Sequence, residues 1–212
     1  MVLDAQEQEQ LDAFKAWWKD NRAFVILSAV ILFGGIGGVQ AWKSYHLQQS
    51  TKASALFAEV GAQIDSKDPL RINDAAQAVI DSFGSSAYAP RAALIAARAD
   101  IQNRNNAQAK VRLQWVIDNA KEDGLKDLAR LQMASLLLDE KNTDQAMHLL
   151  GAEHPATFDA LYADLKGDVL VAQGKTEEAR TAYQLAYGKM DDKSPYRNLV
   201  QMKLDAVGGA KK

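Results

Sequence analysis

The chain has 212 residues, 25 Lys and Arg against 27 Asp and Glu, and no cysteine. The absent thiols exclude disulfides, thiolate zinc sites, iron–sulfur clusters and a cysteine nucleophile. The even charge balance lacks the basic surplus of a nucleic-acid binder, so no nucleic acid is expected as a partner, and the scarcity of proline points to an all-α chain.

Residues 1–22 start polar and carry five acids and three bases. Leu11, Phe14, Trp17 and Trp18 then fall at helical spacing. That pattern suits an amphipathic arm lying on the membrane surface, with lipid as its partner. The same aromatics would also serve as simple anchors of a following span, or as a docking arm for another protein.

Residues 23–42 form an uncharged run of twenty: A-F-V-I-L-S-A-V-I-L-F-G-G-I-G-G-V-Q-A-W. As a helix it spans roughly 30 Å, the thickness of the hydrocarbon core. Arg22 and Lys43 close its ends. Trp17 and Trp18 before it and Trp42 and Tyr45 after it form an interfacial aromatic belt. A buried core helix would show a polar face, and this run has none. A cleaved signal peptide, with Val39 and Ala41 as the small-residue site, would have a short basic start rather than a long acidic one. The expectation is one transmembrane helix. Lys15, Lys19 and Arg22 before it, against Lys43 and Lys52 after it, favour a cytoplasmic N-terminus. The long remainder then lies on the far side, which in a Gram-negative inner membrane is the periplasm. Gly34 and Gly38 make a G-x-x-x-G pair on one face, where another membrane helix can approach closely.

From residue 43 to 212 the charges balance and helical periodicity is continuous. The first helix is expected to run to Ile64 and to break at D-S-K-D-P. Further helices are expected at Leu70–Phe83, Pro90–Gln102, Ala107–Asn119, Leu125–Asp139, Thr143–Leu150, Pro155–Gln173, Thr176–Gly188 and Pro195–Val207. The turns are marked by G-S-S, N-R-N-N, E-D-G, E-K-N, G-A-E-H-P, Q-G-K and D-D-K-S-P. Asn142-Thr143 and Lys175-Thr176 place a cap-type residue at a helix start.

Helix pairs recur. Ala134 to Gly167 is 33 residues, and so is Ala146 to Ala179, while Ala97 and Ala109 lie 37 residues before Ala134 and Ala146. In the last pair Gly167, Gly174, Ala179, Tyr183 and Ala186 follow G-x6-G-x4-A-x3-Y-x2-A. Small residues where two helices cross, at a period near 34, resemble tetratricopeptide repeats. The alternative is an irregular helical bundle. In a repeat array the first helix of each pair lines a groove. Here those positions are Leu94, Arg98, Ile101, Leu128, Leu131, Ser135, Leu138, Leu161, Asp164, Asp168 and Val171. One Arg and two Asp do not make a carboxylate clamp, and the apolar remainder suits a hydrophobic partner segment. The final helix of the chain itself is the competing occupant.

Catalytic constellations are not expected. His46, His148 and His154 have no zinc spacing, and neither a nucleophile elbow nor a phosphate-cradling loop occurs. Asp191-Asp192 and Glu177-Glu178 sit at a turn and a helix start, where solvation and the helix dipole account for them. A non-enzyme without catalytic residues, metal or cofactor is expected.

The whole chain resembles the ancillary SecYEG translocon subunit family. The resemblance rests on E-Q-L-D-A-F-K-A-W-W-K-D-N before the span, W-K-S-Y-H after it, A-D-L-K-G-D-V-L-V-A-Q-G-K-T-E-E-A-R-T-A-Y in the last pair, and a late Q-M-K-L. It implies a single-span inner-membrane protein with a periplasmic tetratricopeptide-like domain. It also implies a place beside the SecYEG translocon with a membrane-anchored periplasmic prolyl isomerase, passing emerging or unfolded periplasmic proteins to chaperones. The alternatives are a scaffold of an inner-membrane complex, or a regulator acting through the cytoplasmic arm.

Overall fold

The computed structural model describes residues 5–66 and 68–208. Residues 1–4 of the expected arm and Lys67 of the expected D-S-K-D-P break lie outside the described residues. Among the described residues every regular element is helical. These are α1 (Ala5–Ser66), α2 (Pro69–Phe83), α3 (Tyr88–Gln102), α4 (Asn106–Asn119), α5 (Asp123–Asp139), α6 (Thr143–Leu150), a 3-10 turn (Ala156–Phe158), α7 (Asp159–Ala172), α8 (Thr176–Lys189) and α9 (Arg197–Ala206).

The chain divides into two units, one ending at Thr51 and one beginning at Lys52. In the first, α1 carries the apolar run, and it is the one helix among the described residues long and apolar enough to cross a membrane. Phe24, Ile31 and Phe33 project outward from it, as lipid-facing side chains do when a helix has no polar face. Before the run Phe14 stacks on Trp17 and Trp18, and at its end Trp42 and, just beyond it, Tyr45 contact the ring of His46.

The second unit opens on the last turns of α1. Val60 is buried there with Ala76 and Val79 of α2 and Ala89, Ala92 and Ala96 of α3, while Phe57 packs beside Tyr88 at 5.4 Å between ring centres. Pro69 sits at the first turn of α2, where its missing N–H costs nothing, and Asp68 caps the helix by accepting from the Leu70 amide at 3.0 Å.

Three helix pairs follow, α3 with α4, α5 with α6 and α7 with α8, and one backbone device joins each. Arg104, Lys141 and Gly174 take left-handed φ of 61°, 63° and 74°. The next amide then reaches back to the last turn of the first helix: Asn105 to Asp100, Asn142 to Leu137, and Lys175 to Leu170. This is the Schellman closure of a helix end. It recurs at the 37- and 33-residue offsets of the small residues. The left-handed conformation favours glycine, yet only the third turn has one. The small residues do meet at the crossings: Ala97, Ala109, Ala134, Ala146, Ala179 and Ala186 are all buried, as is Gly167. The main core joins the first two pairs and reaches into α7. It holds Leu113, Val116, Met133, Leu137 and Leu150, with Tyr162 and Val169 from α7. Full burial of a side chain such as Leu113 contributes about 1.5–3 kcal/mol.

Three local expectations are corrected. The single helix expected over Pro155–Gln173 is a 3-10 turn followed by α7. The tighter turn packs Phe158 against the main core, beside Gly124. The last helix begins at Arg197 rather than Pro195, because Ser194 to Tyr196 form a turn that Arg197 closes with its amide on the Ser194 carbonyl. Asn142 does cap α6 through the Gln145 amide, but Lys175 precedes α8 without a side-chain cap.

Candidate functional site

The expected groove positions divide into four groups. Leu94 is buried in the main core, so it packs its own pair instead of facing a partner. Ile101, Leu131 and Leu138 are half-buried against that core and show only part of their surface. Arg98, Leu128, Ser135, Leu161 and Val171 are exposed on α3, α5 and α7. Arg98, Ile101 and Ser135 come together in one shallow cleft of about 260 Å³, with Gln132, Leu136 and Asp139. The side-chain oxygen of Gln132 is buried there without a hydrogen-bond partner.

Asp164 and Asp168 are held from within the chain. The Lys203 ammonium on α9 donates to both oxygens of Asp164 at 2.9 Å and to Asp168 at 2.7 Å, and the Tyr183 hydroxyl donates to Asp168 at 2.8 Å. Burial works against charge on Lys203 and on Asp164. Two carboxylates serve one ammonium, so Lys203 ends above its ordinary value despite that burial. Burial, with the neighbouring Asp168 charge, leaves Asp164 above the usual carboxylate range even though Lys203 opposes it. The final helix therefore occupies the α7 end of the expected groove, and the α3–α5 end stays open.

A second and larger opening lies on the other side of α5. A cleft of about 690 Å³ is lined by Val111 and Trp115 of α4, Met133 and Leu137 of α5, and His148 and Leu149 of α6, among others. It exists because α6 has 8 residues where α4 and α8 have 14. The missing turns open the space between α4 and α6 down to Met133 and Leu137 of α5, which stay buried at its floor.

Two buried carboxylates hold the pairs together and face no opening. Asp100 accepts from Asn73 at 2.7 Å and from the Arg112 guanidinium at 3.0 Å, tying α2, α3 and α4. Asp127 accepts from Arg130 at 2.7 Å and from the buried Tyr162 hydroxyl at 2.9 Å, tying α5 to α7. His154 stacks on the Tyr162 ring at 3.8 Å. Burial, then the Asp127 carboxylate, push the Tyr162 hydroxyl up to about 12. The same causes, with Asp168 as the carboxylate, raise Tyr183 as well. A group whose folded pKa is raised stabilises the fold below its unfolded value, near 10, and that stability is lost as pH rises through the folded value. In an alkaline titration followed at 295 nm, Tyr162 and Tyr183 are expected to ionise late, above the ordinary tyrosine range, together with loss of helix.

Among the described residues no group of three or more His, Asp or Glu side chains is arranged to hold a metal ion. Gly34 and Gly38 lie on the apolar part of α1, and a Cβ added at either meets nothing of this chain within 4 Å. That face is open to another helix.

An apolar membrane-length helix followed by repeated helix pairs with Schellman turns defines a membrane-anchored helical-repeat protein. The family model of the tetratricopeptide repeat-like domain matches residues 15–209. The chain is 31% identical over 208 residues to the "Ancillary SecYEG translocon subunit" of Neisseria gonorrhoeae, covering 98% of this chain and 100% of the relative. It is 29% identical to the protein of that name from Aggregatibacter actinomycetemcomitans, over 88% of this chain and 91% of the relative. It is 22% identical to that of Escherichia coli, over 97% and 98%. No solved structure matches the chain. The chain belongs to the tetratricopeptide repeat-like family and, within it, to the ancillary SecYEG translocon subunits. With one membrane-length apolar helix among the described residues, it is a single-span membrane protein.

Proposed function

We propose that this chain is a non-enzymatic, membrane-anchored interaction subunit beside the SecYEG translocon. Its arm of residues 1–22 lies in the cytoplasm, the helix over 23–42 spans the inner membrane, and residues 43–212 lie in the periplasm. Gly34 and Gly38 seat the span against a neighbouring membrane helix. The open α3–α5 end of the groove, with Arg98, Ile101, Leu128, Leu131, Ser135 and Leu138, and beside it the exposed Leu161 of α7, receives segments of a membrane-anchored prolyl isomerase or of emerging unfolded chains. Anchoring raises the effective concentration of the groove at the channel exit, so weak contacts suffice. The carrying observation is the near full-length match to translocon subunits, joined to a repeat fold whose first helices expose apolar side chains.

Co-purification of the full chain in mild detergent tests this. Gly34→Leu with Gly38→Leu is expected to reduce channel subunits about tenfold, the loss of roughly 1.4 kcal/mol of contact. Leu128→Glu with Leu161→Glu is expected to keep the channel and release the isomerase and client chains. The contrary result is channel recovery unchanged by the glycine pair.

A pure scaffold is the second reading. The observation favouring it is that Lys203 already fills the α7 end of the groove. It predicts that Leu128→Glu with Leu161→Glu changes no co-purified protein.

A further inference from the structure

The outer cleft between α4 and α6 takes no part in the function proposed above. Its floor is apolar, with Met133 and Leu137 of α5, and Val111, Trp115 and Leu149 stand at its sides. Short turns join α5 to α4 before it and to α6 after it, so α4 and α6 run in the same direction. Their C-termini therefore point to one end of the cleft, with the negative ends of two helix dipoles. Asp118 is exposed at that end, in the last turn of α4. A carboxylate there is opposed by the dipole of its own helix. Gln114 donates to it at 2.9 Å, but no cation among the described residues pairs with it. Lys121, one turn on, is turned away to the Ser85 carbonyl. Lys110, at the other end of the cleft, is already held by Glu140 at 2.8 Å. The one unanswered charge on the rim is therefore negative, with His148 counted neutral at pH 7.

We propose that this cleft seats a basic amphipathic α-helix of a second protein, antiparallel to α4 and α6 with its N-terminal end at Asp118. Shape supports a helix. α6 has 8 residues where α4 has 14, and the shortfall is roughly 9 Å of helix. The opening follows α4 from Lys110 to Asn119, roughly 14 Å, or between two and three turns. An incoming helix lays its apolar face over Val111, Trp115 and Leu149 and occupies the space the missing turns leave. Charge sets its direction and composition. Its positive N-terminal end, with a lysine or arginine in the first turns, meets Asp118 and the two negative helix ends. The opposite direction would bring three negative helix ends together. The proposal rests on the cleft alone, not on the chain's place beside the channel or on the α3–α5 groove.

The full chain is held in phosphatidylcholine nanodiscs with the photo-crosslinker benzoylphenylalanine at Gln145, exposed on the α6 rim. The probe is a synthetic peptide of about 14 residues, with leucines on one helical face and lysines on the other. Its adduct is expected at 145, and about fivefold less from a crosslinker at Ser135 in the groove. A glutamate twin and a scrambled lysine peptide, at matched free concentration, are each expected to give about fivefold less at 145. Asp118→Lys lowers capture of the lysine peptide about fivefold and raises that of the glutamate twin. Lysine suits the last turn of a helix, so this variant is expected to fold, and circular dichroism verifies it. No adduct at 145, equal adducts at 145 and 135, equal capture of either control peptide, or indifference to Asp118→Lys overturns the proposal. The groove reading is untouched by any of these results.

Discussion

Asp100→Ala is expected to lower the thermal midpoint of the full chain in detergent by about 10 °C, one of the two largest effects of any single substitution here. Asp100 is buried and receives Asn73 of α2, Arg112 of α4 and, at 3.4 Å, Asn105 of the turn between α3 and α4. Removing it strands a guanidinium whose side chain is only 12% exposed. Breaking a buried pair by deleting one partner costs about 3–5 kcal/mol, because the other charge stays buried alone. For a chain of this size 1 kcal/mol moves the midpoint by roughly 2–4 °C. The cause is separable from loss of packing. Asp100→Leu combined with Arg112→Met removes both charges together and is expected to lie closer to the parent than Asp100→Ala does. A double variant less stable than the single one contradicts the account.

Gly167→Leu is expected to be comparably damaging, for a steric reason. Gly167 lies where α7 crosses α8, and a Cβ added there would sit 2.5 Å from Cδ1 of the Tyr183 ring. That ring is buried, and its hydroxyl is held by Asp168, so it has no easy place to go. Overpacking costs about 1–3 kcal/mol, and occasionally more, for added methylenes. The extra length of leucine puts this case at the upper end, a fall of roughly 6–12 °C. Gly61 gives the opposite sign. It is exposed within α1, and a Cβ there meets nothing within 4 Å. Gly61→Ala therefore gains helix propensity worth about 0.8–1 kcal/mol and raises the midpoint by a few degrees. Differential scanning calorimetry of both variants checks the pair. Equal shifts for Gly61→Ala and Gly167→Leu would contradict the crossing argument.

Most of the fold was legible because helical period, turn residues and small residues act locally. The helix starts and ends fall within about two residues of expectation except around Pro155, where the burial of Phe158, a tertiary demand, sets the tighter turn. The Schellman turns left one clear sign, Gly174, because Arg104 and Lys141 take the left-handed conformation without the residue that usually marks it. The packing of the expected groove positions was legible only in part. Periodicity places Leu94 on the first-helix face but does not distinguish the side facing a partner from the side facing its own second helix. Asp164 and Asp168 read as groove charges until Lys203, some 35 to 39 residues later, is seen to bind both. The outer cleft gave only one signal, the shortness of α6. Its consequence for Trp115 and Met133 needs the packed structure. Asp100 and Asp127 look like surface acids in sequence, since nothing local shows that three partners converge on one and that a buried tyrosine meets the other.

The central claim, an interaction module held at the protein channel, is tested most directly by in-cell photo-crosslinking of the full chain. One crosslinker stands at Gly34 in the span and, separately, one at Leu128 on the open end of the groove. The account predicts channel subunits captured at Gly34, and the prolyl isomerase or nascent polypeptides captured at Leu128. No channel adduct at Gly34, with only unreacted chain or self-adducts at Leu128, would contradict it.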